Sequence, residues 1–327
     1  MWSLIECLNG LEEATWVCEN GEPQDFRSVR RMLFANEWLP LLDQAFHTRT
    51  SGAATVGSKK GDHRVVIHPV IGPEATVYAF HVWIAPLDQA PTPPPPTAGN
   101  RWLLDRQAVQ QTPESFAMSG GGEQFHEFRS APQFTGRALR SDDFDKILQI
   151  VGDPTPEKKI ITESTILNAR TGRVMPWVVV CRGHDGNEMR ILFCDVARFG
   201  IEPKIPTPEA LSLRAMSAAA GRWAALAAMA TDPITERRDI ILALWISERP
   251  PWFVEFVPDT TDFIHPDDRS LFSAASVMRA DATPPEVRIR INSSDGWRGM
   301  NGAIRPYSLA GGNARVDDLY IVEFWES

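Results

Sequence analysis

Positive charge is in short supply. Thirty-three Lys and Arg stand against 42 Asp and Glu, a net charge of -9, so the chain has no basic footprint with which to neutralise a phosphate backbone, and nucleic acid is not an expected partner. Long apolar runs are missing as well. The most apolar stretch, Ala210 to Ala230, is interrupted by Arg214 and Arg222, which excludes a membrane-spanning helix there. Cysteine is scarce: Cys7, Cys18, Cys181 and Cys194 form no CxxC pair and no disulfide framework, and are expected as reduced, mostly buried thiols. The first residues, Met1 to Glu6, lack a basic start followed by an apolar run, so no secretory signal is readable and a cytoplasmic location is expected. No nucleophile elbow, metal triad, P-loop or kinase signature occurs, and an enzyme is the less favoured reading.

What is present is an ordinary globular balance, 43% apolar and 23% charged over 327 residues, which excludes disorder as a whole. Ala90 to Asn100 reads A-P-T-P-P-P-P-T-A-G-N, a stiff polyproline linker that can neither continue a helix nor pair as a central strand. A second break lies at Gly200 to Pro208, with Pro203, Pro206 and Pro208. The expected units are therefore residues 1–89, a linker over 90–100, residues 101–199, a linker with a connecting helix over 200–230, and residues 231–327. No unit is basic.

Each unit closes with two extended runs joined by a turn. These are His63 to Ile71 with Val77 to Ala85, Arg173 to Cys181 with Arg190 to Val196, and Trp297 to Tyr307 with Leu319 to Trp325. Aromatic and β-branched enrichment with period-two stretches predicts three antiparallel hairpins. Ahead of the last one, Thr207 as cap and Pro208 at the first position predict a helix through Trp223, Leu226 and Met229 to Asp232 and Pro233. Its many alanines would let another helix approach closely, giving a signalling or homodimer contact, with packing on its own sheet as the alternative. Strands are expected over Ile240 to Ile246 and Trp252 to Val257, then a helix after Pro266. Glu286 to Ile291 alternates charged and apolar residues, a strand with one wet face.

That order, with the segment Phe263 to Arg269 (F-I-H-P-D-D-R) and the turn Ser294 to Arg298 (S-D-G-W-R), resembles a PAS sensor domain. His265, Pro266, Asp267 and Asp268 match the helix-opening turn of that family, and Asp295, Gly296 and Trp297 its tight turn between the third and fourth strands. The middle unit echoes the spacing: Arg140 to Phe144 (R-S-D-D-F) precedes Gly172 much as Asp268 precedes Gly296. The first unit shares the closing hairpin and a helix, Phe34 to Phe46, and resembles a short PAS or the related GAF type. Three such units without an effector resemble actinobacterial sensor-only proteins built from GAF and PAS domains. The resemblance implies an α+β fold of three tandem PAS/GAF-like domains, each an antiparallel sheet of about five strands with helices on one face.

Several residue groups have alternative readings. His63 and His68 are five apart and face opposite sides of a strand, so only His68 and His81 can share a face, too few ligands for zinc; no metal is expected. The pairs Asp142 with Asp143 and Asp267 with Asp268 are read as helix caps rather than acid/base pairs. Gly120, Gly121 and Gly122 form a Gly-rich loop, not a phosphate cradle. Cys181 and Cys194 sit across one hairpin, where a redox pair competes with plain apolar packing. Trp245, Phe253, Phe263, Met278 and Ile289 are the candidate lining of a ligand pocket in the last unit, if bulky rings do not fill it. No catalytic residue and no cofactor is assigned. The expected function is a non-enzymatic, multi-domain sensor or scaffold that binds a small ligand or a signalling partner and relays it through domain contacts. The alternatives are a ligand-free protein-interaction scaffold and, behind it, an unrecognised enzyme.

Overall fold

The protein was analysed as a computed structural model that describes residues 1–57, 61–104, 106, 108–121, 124–207, 212, 220–231, 238–253, 263–268, 270–271, 286–293, 295–309 and 314–326. It is α+β, with three sheets. The first holds β1 (Trp2–Glu6), β2 (Thr15–Glu19), β3 (Glu22–Ser28), β4 (Gly52–Val56), β5 (His63–Ile71) and β6 (Val77–Pro86), with helix α1 (Ala35–Thr48) on one face. The second holds β7 (Thr97–Leu103), β8 (Ala108–Gln111), β9 (Phe128–Ser130), β10 (Ala138–Ser141), β11 (Lys159–Leu167), β12 (Val174–His184) and β13 (Glu188–Asp195), with helices α2 (Pro113–Met118), α3 (Ala131–Thr135) and α4 (Phe144–Gly152). The third holds β14 (Arg222–Thr231), β15 (Arg238–Trp245), β16 (Val287–Ser293), β17 (Gly296–Leu309) and β18 (Ala314–Trp325).

All three sheets share one plan. In the third the order is β15-β14-β18-β17-β16, in the first β2-β1-β6-β5-β4 with β3 at the edge, and in the second β8-β7-β13-β12-β11 with β9 and β10 at the edges. Every pairing is antiparallel. In each case the opening strand is an inner strand, beside the last strand of the closing hairpin, which takes the centre of the five. The three hairpins expected from the pattern are β5 with β6, β12 with β13 and β17 with β18.

The Ala-rich segment departs from its expected helix. Pro208 to Ala219 lies largely outside the described residues, but residues 222–231 are the inner strand β14, bonded to β15 on one side and β18 on the other. Its side chains alternate: Trp223, Ala225 and Ala227 enter one apolar cluster, Leu226 and Ala228 another. A strand buried on both faces reads as a continuous apolar run, which is why periodicity could not tell it from a helix. The buried Ala225, Ala227 and Ala228 are thus enclosed in a sheet rather than offered to a second copy. Of the strand expected over Trp252 to Val257, the described residues show a bridge from Phe253 to Ser293, and residues 254–257 lie outside the described set. The proline linker is shorter than expected, because Thr97 to Asn100 already belong to β7 and pair with β13. Thr97 is the first residue past Pro96 able to donate a backbone hydrogen bond to a ladder.

The sheets are also stacked on one another through the faces their helices leave open. The face of the first sheet away from α1 packs directly on the second sheet, with Leu4, Val17, Cys18 and Tyr78 against Val178, Val180, Leu192 and Cys194. Gly99 of β7 allows the close approach, since a Cβ there would collide with the Tyr78 ring. Charges seal this contact. Glu6, 0% exposed, accepts from Arg182 Nη2 at 2.7 Å and Nε at 3.1 Å, from the Leu8 amide at 3.0 Å and from Thr15 Oγ1. Glu188 accepts from Arg190 Nε at 3.0 Å and from Arg101, which also reaches Glu74 of the first unit. On its other face the second sheet packs on α4, and α4 in turn on the third sheet: Ile147, Leu148 and Val151 share one core with Trp177 and Val179 and with Leu226, Ala228 and Leu319. Among the described residues no helix is long and apolar enough to cross a membrane.

Candidate functional site

The face of the middle sheet under α3 and α4 lines a partly open cavity of about 70 Å³. Period-two alternation places Trp177, Val179 and Cys181 of β12 and Ile191 and Phe193 of β13 on that face. Phe134 of α3 and Phe144 and Ile147 of α4 form the roof. The Trp177 and Phe193 rings stack at 5.2 Å, and Phe134 lies 5.8 Å from Phe193. Most of the lining is apolar, with Ser119, Thr135, Arg137, Ser141 and Ser164 as polar members. Trp102 and Trp177 both line the cavity, and the Nε1 of each is buried without a protein hydrogen-bond partner, an arrangement that costs about 1–3 kcal/mol per orphaned donor. Arg137, at the cavity edge, is pinned by donating from Nη1 to the Ser119 carbonyl at 2.6 Å and to Ser119 Oγ at 2.8 Å. Burial pushes the Cys181 thiol up to about 12, so it lines the space as a small apolar group.

The residues expected to line a pocket in the last unit do meet. Trp245, Phe253 and Ile289 are buried in one cluster with Phe263 packed against it, and the Trp245 ring lies 5.3 Å from Phe253 and 6.3 Å from Phe263. Trp252 and Phe324 complete that aromatic cluster. Met278 lies outside the described residues. The middle-unit cavity was not expected from the sequence; the available signal was Trp177 and Phe193, large rings on alternating strands opposite the amphipathic segment of α4.

The other groups resolve individually. Cys181 pairs in register with Ile191 and Cys194 with Val178, and the two thiols enter cores on opposite faces of the sheet. They cannot form a redox pair. All four cysteines are free and buried. His68 and His81 are directly opposed across β5 and β6. His68 Nδ1 contacts Ser51 Oγ and His81 Nε2 contacts Thr97 Oγ1, each at 2.8 Å, and both rings lie 5.8 Å from Trp2. His63 stacks on Phe34 instead. Among the described residues no three His, Cys, Asp or Glu side chains are grouped to hold a metal. Gly120 takes a left-handed φ of 67°, and Gly121 lies where a Cβ would strike Phe116, so the Gly-rich loop is a tight turn; Gly122 lies outside the described residues.

The aspartate pairs act as ion-pair partners more than as caps. Asp143 stands at the N-cap of α4 without a side-chain cap bond, and accepts instead from Lys146 Nζ at 2.6 Å and Thr162 Oγ1 at 3.1 Å. Asp142 holds Arg140 and Lys204. Asp268 accepts from the Arg290 amide at 2.7 Å, Nε at 2.9 Å and Nη2 at 2.8 Å, and these bonds hold its carboxyl below the ordinary range. Asp267, more exposed, has a 3.2 Å contact to Arg290 Nη2 and a 3.5 Å contact to His265 Nδ1. The Asp268→Ala change is therefore expected to lower the melting temperature by roughly 2–4 °C, and Asp267→Ala by clearly less. Equal shifts in calorimetry would contradict this division.

Residues 1–95 match a family model described as Rv3651-like, N-terminal. No curated protein matches the chain. Among solved structures, one from Mycobacterium tuberculosis, described as uncharacterised, superposes with a TM-score of 0.72 at 19% identity, covering 100% of this chain and 96% of that one. An RNA-binding light-oxygen-voltage receptor gives a TM-score of 0.23 at 10% identity over 70% of this chain and 95% of its own, too loose to bear on the fold. The whole length of this chain, all three sheets included, thus shares its fold with the mycobacterial protein.

Proposed function

We propose that the chain is a non-enzymatic, cytoplasmic sensor or scaffold of three PAS-like units, in which a small ligand held in the middle unit is read by the third. The observation that carries this reading is the position of α4, which roofs the 70 Å³ cavity with Phe144 and Ile147 and presses the same core against Leu226, Ala228 and Leu319 of the third sheet. Anything that lifts or tightens this roof acts directly on the neighbouring sheet, because packed interiors transmit displacement rather than absorb it. The ligand that fits the lining is small, mostly apolar and equipped with an acceptor for the indole donors of Trp102 and Trp177. Four reduced, buried cysteines agree with a cytoplasmic setting.

Native mass spectrometry of the purified chain tests this. A co-purifying small-molecule adduct is expected on the wild type, and Val179→Phe, which places a ring in the cavity, is expected to abolish it while the circular dichroism spectrum is retained. A bare mass for the wild type, or an adduct that survives the filled cavity, refutes the middle unit as the ligand site. The ring cluster of Trp245, Trp252, Phe253, Phe263 and Phe324 supports a second reading in which the last unit is solid and acts only through its surface.

A further inference from the structure

A second cavity, of about 590 Å³, opens where the middle unit meets the third sheet. Phe116, Arg129 and Arg137 line it from the middle unit, and Trp245, Glu248 and Arg249 from the end of β15 and the turn beyond. Among the described residues three guanidinium groups and one carboxylate thus line a space of the size that takes a whole small molecule, in a chain whose net charge is -9. Two of the cations are held in position. Arg129 is 3% exposed and lies over the Phe116 ring at 4.8 Å, and Arg137 is pinned to Ser119. A guanidinium plane fixed in this way presents parallel donors to a carboxylate or phosphate at little further entropic cost. The Phe116 ring offers a flat apolar wall beside those donors.

We infer that this junction binds a small organic anion in which a phosphate or carboxylate group adjoins a flat ring. The site is distinct from the inner cavity in chemistry, although Arg137 and Ala138 border both. Because its two walls belong to different units, already joined by the Thr135 Oγ1 bond to the Ala243 carbonyl at 2.5 Å, an occupant clamps α3 against β15. Binding therefore raises the melting temperature as ligand is added.

Titration calorimetry of the full chain at low salt, with adenosine monophosphate, benzoate and inorganic phosphate as probes, decides the matter. At least one organic anion is expected to bind more tightly than inorganic phosphate: the nucleotide if phosphate is the preferred group, benzoate if carboxylate is. Arg249→Glu, at an exposed position, is expected to weaken that binding at least ~10-fold by turning a charge-assisted donor into a repulsive acid. Glu248→Gln is expected to tighten it about two- to fivefold by removing like charge, and added salt to weaken it. No binding by either organic anion, or unchanged affinity in both variants, overturns the inference. Val179→Phe fills only the inner cavity and is expected to leave this binding intact, so the two sites stand or fall separately.

Discussion

Replacing Glu6 with alanine is expected to cost about 3–5 kcal/mol of stability, the penalty for stranding a buried charge, a large part of the roughly 5–15 kcal/mol that holds a domain folded. The reason lies in what the carboxylate leaves behind. Arg182 is 2% exposed, donates to Glu6 through Nη2 and Nε, and keeps only Glu13, at 3.1 Å from Nη1, once Glu6 is gone. The Leu8 amide and Thr15 hydroxyl lose their acceptor at the same time. Because β1 and β12 belong to different sheets, the damage should appear where those sheets meet. Hydrogen exchange is expected to show loss of protection in both strands together. The double change Glu6→Gln with Arg182→Met is expected to cost less than the sum of its parts, since it removes the charge along with its partner. A cost below about 1 kcal/mol for the single change, within the range of a surface pair, would show that the cluster is solvated.

Acid is expected to destabilise the protein through His81. Burial drives this imidazole down to about 3, with His68 and Arg198 adding to the effect. The ring is 3% exposed, accepts or donates only at Nε2 toward Thr97, and has a buried Nδ1 without a partner. The folded state therefore keeps His81 neutral where the unfolded chain, with an ordinary value near 6.5, takes up a proton. Its stabilising contribution is complete above about pH 6.5 and is lost as pH falls toward 3, at about 1.4 kcal/mol per pH unit. Between pH 6.5 and 5 this amounts to about 2 kcal/mol. His68, also lowered by burial, acts in the same direction. His81→Leu is expected to flatten the acid limb of the denaturation midpoint by about one proton, and Thr97 Oγ1 retains its bond to the Pro95 carbonyl at 3.2 Å. Parallel pH profiles for wild type and variant would rule the residue out as the source.

Local chemistry was legible wherever a strand had one wet and one dry face or a turn had its own residues. The three closing hairpins, helix α1 and the alternation of Val287 to Ile291 follow from side-chain period and turn composition, and they lie where that pattern puts them. The reading failed at β14, because a run of alanines has high helix propensity but its fate is set by what packs on both faces. At Cys181 and Cys194 the packing reading holds over the redox alternative, because their offset in register sends one thiol into each of two cores.

By itself the amino-acid sequence determined what depends on neighbours along the chain or on composition: three β-ribbons, the proline-rich stretches, and the excess of acidic over basic residues. Only the tertiary structure decided that Glu6 meets Arg182, that α4 lies between two sheets, and that arginines from the middle unit share a cavity with Arg249. Those relations join residues far apart along the chain, and they are set by which apolar faces remain uncovered once each sheet has formed, a quantity no local pattern carries.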